Sequence, residues 1–174
     1  MPHVVELAPT GRAKCRGCGQ PIPARTQRFG ERVPNPYGDA GTETTHWYHV
    51  SCAAFTRPEA FLQALPSITE DIENRGELES EAQIGAAHER VPRLRAAERS
   101  PTGRATCRSC REPIAKDSWR ITLAYYEEGR FVPGGFIHVT CAKEYFSTSD
   151  VLPRIRHFSP GLTDQDFSEI GAIL

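Results

Sequence analysis

Two sets of four side chains carry the chemistry legible in this sequence. Cys15 and Cys18 form a CxxC pair, followed after 30 residues by His49 and Cys52 as an HxxC pair. Cys107 and Cys110, followed after 27 residues by His138 and Cys141, repeat the arrangement. A CxxC pair on a tight turn brings two thiolates to within ~2.3 Å of one ion, and an HxxC pair at a helix start supplies the other corners of a tetrahedron. Mixed nitrogen and sulfur donors suit zinc better than an iron–sulfur cluster. Four protein ligands also leave no open position for a catalytic water, so two structural zincs per chain are expected. All six cysteines are used. A lone CxxC would also fit a redox pair or two buried thiols; the duplicated HxxC argues against both. His46 lies near the first pair, but its counterpart is Gly135, and it is assigned no ligand role. His3, His88 and His157 have no counterparts.

The elements that must position these ligands also come in two copies. PTGRAKCRGCGQPIP from Pro9 aligns with PTGRATCRSCREPIA from Pro101, and HWYHVSC ending at Cys52 aligns with GFIHVTC ending at Cys141. Such self-similarity marks a duplicated unit. Each copy reads as a knuckle, a β-hairpin, a ligand pair and a helix. In the second copy Ser118 to Tyr126 is rich in β-branched and aromatic residues, with a tight turn at 127–130. In the first, Val33 to Thr45 is a longer loop rich in Pro and Gly. Pro58 opens a short helix, and Ser67 with Glu70 and Thr163 with Asp166 have capping-box spacing. The expected class is small, zinc-stabilised α+β. Residues 1–78 and 100–174 form the two units, and 79–99 is a partly helical, exposed linker that can pack on the first unit.

Units of this size bury too little apolar surface to fold comfortably without a staple. No apolar run approaches the ~20 residues a membrane helix needs, and the N-terminus lacks a signal-peptide pattern. The expected setting is intracellular, without membrane association. There, CxxC spacings signify metal rather than disulfides. The net charge is -1, but the average conceals local bias. From Gly11 to Arg32 six basic residues face one acid, and from Gly103 to Arg120 five face two. A polyanion responds to this local charge, because salt screens beyond about 8–10 Å.

The combination GRAxCxxC, hairpin, HWYHxxC resembles the zinc fingers of poly(ADP-ribose) polymerases and of a eukaryotic DNA ligase, over both repeats. The resemblance implies tandem PARP-type fingers that recognise DNA strand breaks (nicks, gaps and ends) by structure rather than sequence. It places phosphate-gripping arginines at Arg12 and Arg104, three positions before the first cysteine, and at Arg28 and Arg120, ten positions after the second. Guanidinium forks bind phosphate oxygens bidentately, which supplies the physical reason. Arg16 and Arg108, between the cysteines, are further candidates, with zinc-site charge balance as the alternative. The apolar residues that cover the exposed base pair fall on the stretch of Phe131, Val132 and Pro133 in the second finger; in the first the nearest candidates are Tyr37 and Pro36, several residues early. Hairpin core is the alternative for Phe131, and the second loop is expected to be the better formed. Trp47 and Phe136 are expected to pack on the knuckle.

No catalytic polymerase or ligase domain is expected beside the two fingers. The partners expected are broken DNA and a separate repair enzyme, and the chain is expected to be a monomer, DNA-associated in a bacterial nucleoid or a eukaryotic nucleus. A zinc-stabilised adaptor that recruits a repair enzyme remains the alternative. A thiol–disulfide enzyme is disfavoured by the missing βαβ pattern.

Overall fold

Duplication at the level of residues becomes duplication of architecture. The structure is a computed structural model that describes residues 2–174, and the chain divides into two compact units, Met1–Ala87 and His88–Leu174. In the first, β1 (Val4–Leu7), β2 (Gln27–Pro34) and β3 (Glu43–His49) form an antiparallel sheet in the order β1-β2-β3. The zinc knuckle occupies the β1–β2 connection, whose ends are closed by Ala8 N donating to Thr26 O and Arg25 N donating to Ala8 O. After β3 come α1 (Val50–Thr56), α2 (Pro58–Ala64) and α3 (Arg75–Ala87). Proline opens α2, as expected, because its missing N–H belongs to a first turn that has no partner for it. Phe29, Tyr48 and Phe61 are fully buried between sheet and helices, each worth about 1.5–3 kcal/mol of apolar burial.

The second unit repeats this plan. Its sheet is β4 (Leu94–Arg99), β5 (Trp119–Glu127) and β6 (Arg130–His138), followed by α4 (Ala142–Phe146), α5 (Leu152–Phe158) and α6 (Asp164–Ile173). The tight turn joining β5 to β6 has Glu128 and Gly129 at φ 48° and 79°, the two left-handed residues a two-residue hairpin loop demands. Ile121, Ile137, Ile155 and Ile170 are its fully buried centre. Thr163 and Asp166 close the expected capping box at the start of α6.

Three expectations change. Residues 79–99 are divided between the units: α3 runs through Ala87 with Ala82 fully buried, and residues 94–99 are strand β4. Each unit therefore has a strand before its knuckle in addition to the hairpin. Ser67 and Glu70 cap nothing: Ser67 Oγ donates to Ala64 O at 2.8 Å, and α3 begins only at Arg75, after Asn74 turns the chain at φ 55°. The loop between β2 and β3 is confined to residues 35–42, since both strands extend further than their Pro, Gly and Thr content indicates.

Candidate functional site

Each metal centre is assembled from a knuckle turn, the end of a strand and the first turn that follows it. In the first unit Gly19 N donates to Cys15 O and Cys15 N to Gln20 O, folding the CxxC turn back on itself. The last residue of β3 is His49, and Cys52 follows one turn into α1. The four donor atoms lie within 4.8 Å of one another, as do those of Cys107, Cys110, His138 and Cys141. His49 Nδ1 is 3.4 Å from Cys18 Sγ and 3.8 Å from Cys52 Sγ; His138 Nδ1 stands at the same two distances from Cys110 and Cys141. A tetrahedron with Zn–S ~2.3 Å and Zn–N ~2.0–2.1 Å has edges of about 3.5–3.8 Å. The donors present fit zinc, two per chain, and close its coordination sphere.

The surroundings also select the ligating nitrogen. With Nδ1 turned to the thiols, Nε2 of His49 lies 3.2 Å from Pro21 O, and Nε2 of His138 lies 3.2 Å from Pro113 O. An Nε2–H donating to that carbonyl fixes the tautomer that ligates through Nδ1. His49 N and His138 N each point at the first cysteine's sulfur.

Packed this closely, the donors share protons. The hydrogen bond from Cys52, and after it His49, outweighs burial and holds Cys15 down at about 3; the same thiol lowers Cys18 to about 6. Cys52 is pushed up in return, and His49 rises to about 9 beside the Cys15 thiolate. In the second centre burial raises Cys107, but the backbone N–H groups of Cys110, His138 and Ser109 more than offset it, leaving about 7. Cys141 rises to about 12, through burial first and then its neighbours Cys110 and Cys107. A cation among the donors would favour their deprotonated forms. His46 stays outside the set: it is 6% exposed, and burial with the nearby Arg16 charge lowers its pKa.

The candidate DNA-contacting residues fall into three environments. Arg12 and Arg104 are exposed beside the knuckles, and their guanidinium groups have no partner among the described residues. Arg16 and Arg108 are exposed between the cysteines; Arg108 lies across Gly135, where an added Cβ would come within 2.8 Å of its Nε. Arg28 and Arg120 are only 8% and 7% exposed. Nε and Nη2 of Arg28 donate to Glu6 Oε1 at 3.1 and 2.5 Å, and its guanidinium stacks 3.5 Å over the Trp47 ring. Arg120 donates likewise to Glu98 Oε1 at 2.9 and 2.5 Å and stacks 3.6 Å over Phe136. Glu6 and Glu98 are the residues sequence reasoning passed over. The signal was present, since both copies read Glu-x-x-Pro-Thr-Gly-Arg-Ala.

The aromatic candidates differ between the units. Tyr37 is 96% exposed on the 35–42 loop, whose turns are closed by Asn35 N donating to Thr42 O and Tyr37 N donating to Asn35 Oδ1. Phe131 is half-buried, 4.9 Å from the Tyr126 ring and covered by the Arg95 guanidinium at 3.9 Å. Trp47 and Phe136 are half-buried under the arginines just described.

Comparison with known proteins agrees with this geometry. Residues 6–86 match the family model of the poly(ADP-ribose) polymerase and DNA-ligase Zn-finger region. A poly(ADP-ribose) polymerase of Drosophila melanogaster is 28% identical over 148 residues, covering 73% of this chain and 14% of that protein. Poly(ADP-ribose) polymerase 1 of Gallus gallus is 30% identical over 137 residues, covering 70% and 13%. The chain thus spans about one seventh of the length of these relatives. Among the described residues no helix is long and apolar enough to cross a membrane. The first unit belongs to this zinc-finger family and the second repeats its ligand set, sheet and knuckle, so the chain carries a tandem pair of PARP-type zinc fingers.

Proposed function

We propose that this chain is a structure-specific DNA-binding protein that recognises strand breaks, and that it acts by binding rather than catalysis. The observation that carries this is the pair Arg12 and Arg104. At matching places beside the two zinc knuckles, each presents an exposed guanidinium with no partner among the described residues. Exposed cations flanking a knuckle suit the phosphate backbone, and backbone contact carries no sequence information. Tyr37 supports the same function: an aromatic ring standing in solvent on a loop braced by its own hydrogen bonds suits stacking on a base pair laid bare at a break. Phe131, already packed against Tyr126 and Arg95, is the weaker stacking group. The zincs hold these groups in place. A partner enzyme would repair the break, in the DNA-associated compartment of the cell.

Fluorescence titration with nicked, gapped and intact duplexes of one sequence tests the proposal. Nicked or gapped DNA should bind more tightly than intact DNA, and equal affinities would end the break-sensing claim. Arg12→Ala with Arg104→Ala should weaken binding and flatten its salt dependence by about one unit of log–log slope per lost phosphate contact.

A further inference from the structure

Arg28 and Arg120 hold the same unusual position in both units. Each is a nearly buried arginine whose guanidinium is fixed on two sides, by a carboxylate on one edge and an aromatic ring on one face. The carboxylate takes Nε and Nη2. Nη1 makes no hydrogen bond among the described residues, yet it is not among the buried polar atoms left unsatisfied, so it keeps some access to solvent. The glutamates are themselves 44% and 46% exposed, which puts each clamp at the surface.

The two copies build this clamp from different parts. Trp47 sits opposite Gly30, where a Cβ would come within 2.7 Å of the indole; the smaller Phe136 sits opposite Thr122. The ring and its cross-strand partner have changed together while the arginine–glutamate geometry has stayed. Stability alone gives such an ion pair little to recommend it, because pairs with a solvent-exposed partner contribute only about 0–1 kcal/mol. What such a clamp supplies is a guanidinium with its plane and free edge set in advance.

We propose that Glu6 and Glu98 are positioning residues, which hold Arg28 and Arg120 so that each turns its Nη1 edge toward a backbone phosphate. This rests on the DNA-binding function proposed above. A free arginine must surrender its rotamers on binding, whereas a clamped one has already done so. The pair is neutral at a distance, so its contribution comes at contact and not in long-range attraction.

The test uses the full zinc-loaded chain with three double variants: Glu6→Ala/Glu98→Ala, Glu6→Gln/Glu98→Gln, and Arg28→Ala/Arg120→Ala. The arginine Nε–H signals in NMR report the clamp without DNA. They should be rigid in the parent and in the Gln variant, which keeps the acceptor oxygen, and mobile in the Ala variant. Affinity for nicked duplex should fall about two- to tenfold per released arginine in the glutamate-to-Ala variant, with no loss of salt slope because the guanidinium charge remains. The arginine-to-Ala variant should lose affinity together with about one unit of slope per arginine. Tighter binding in both glutamate variants would mean that the carboxylates mask the arginines, and would overturn the proposal. So would Nε–H signals or affinity unmoved by glutamate-to-Ala, or affinity unmoved by arginine-to-Ala. Failure of the break-binding function itself reads out separately, as a parent protein that does not prefer nicked to intact duplex.

Discussion

At the residue scale the metal ligands are proton competitors. His49 is raised to about 9 and Cys52 is also raised, so zinc entering the first centre must expel protons that these groups hold at neutral pH. The sign follows: apparent zinc affinity should rise with pH toward about 9 and fall as the solution is acidified. Competition against a chelator at a series of pH values measures it, and a flat profile would refute the proton-sharing arrangement. The sequence specified which residues ligate. It did not specify the Nδ1 atoms, which depend on the Pro21 and Pro113 carbonyls standing behind the rings.

At the element scale the two units solve the same packing problem with different chemistry. Beneath the first sheet, Arg57 donates from Nε and Nη2 to Glu31 at 2.9 and 2.6 Å, and Tyr48 OH donates to the same carboxylate at 3.2 Å, with Glu31 only 3% exposed. At the corresponding places the second unit has Leu123, Ile137 and Phe146, all buried. Glu31→Leu alone removes the carboxylate that Arg57 and Tyr48 share and should cost about 1–3 kcal/mol, whereas Glu31→Leu with Tyr48→Ile and Arg57→Phe should be nearly neutral or stabilising. Denaturant melts of the three-fold and single variants separate these outcomes. A second contrast lies in the knuckles. Gly19 adopts φ 76°, and the matching residue Arg111 adopts φ 69°, where a side chain is penalised. Arg111→Gly should therefore stabilise the second unit by up to about 1 kcal/mol, read as a rise in its melting temperature. Strand elements were partly legible. β5 and β6 announced themselves by β-branched and aromatic runs around a tight turn. β1 and β4 did not, because four to six residues of mixed character become strands only when β2 or β5 offers an edge.

At the scale of the whole molecule, each unit owns a sheet, a core and a zinc site. Metal analysis should give two zincs per chain, and complete chelation should unfold both units, since zinc supplies folding free energy on the order of 10 kcal/mol in such small domains. Cys15→Ser should erase the dispersed NMR signals of residues 2–87 and spare those of 88–174, with Cys107→Ser doing the reverse. Simultaneous loss of both sets would contradict independent cores. The sequence by itself determined the duplication, the two three-cysteine, one-histidine sets, the zinc they hold and the zinc-finger family, because ligand type and spacing are local and tetrahedral coordination tolerates few alternatives. Only the tertiary structure decided where the arginines and aromatics sit. It left Arg12 and Arg104 in solvent, enclosed Arg28 and Arg120 between a glutamate and a ring, covered Phe131 and exposed Tyr37. Those outcomes depend on partners from other strands: Glu6 and Glu98 precede their arginines by 22 residues and meet them only once β1 pairs with β2 and β4 with β5.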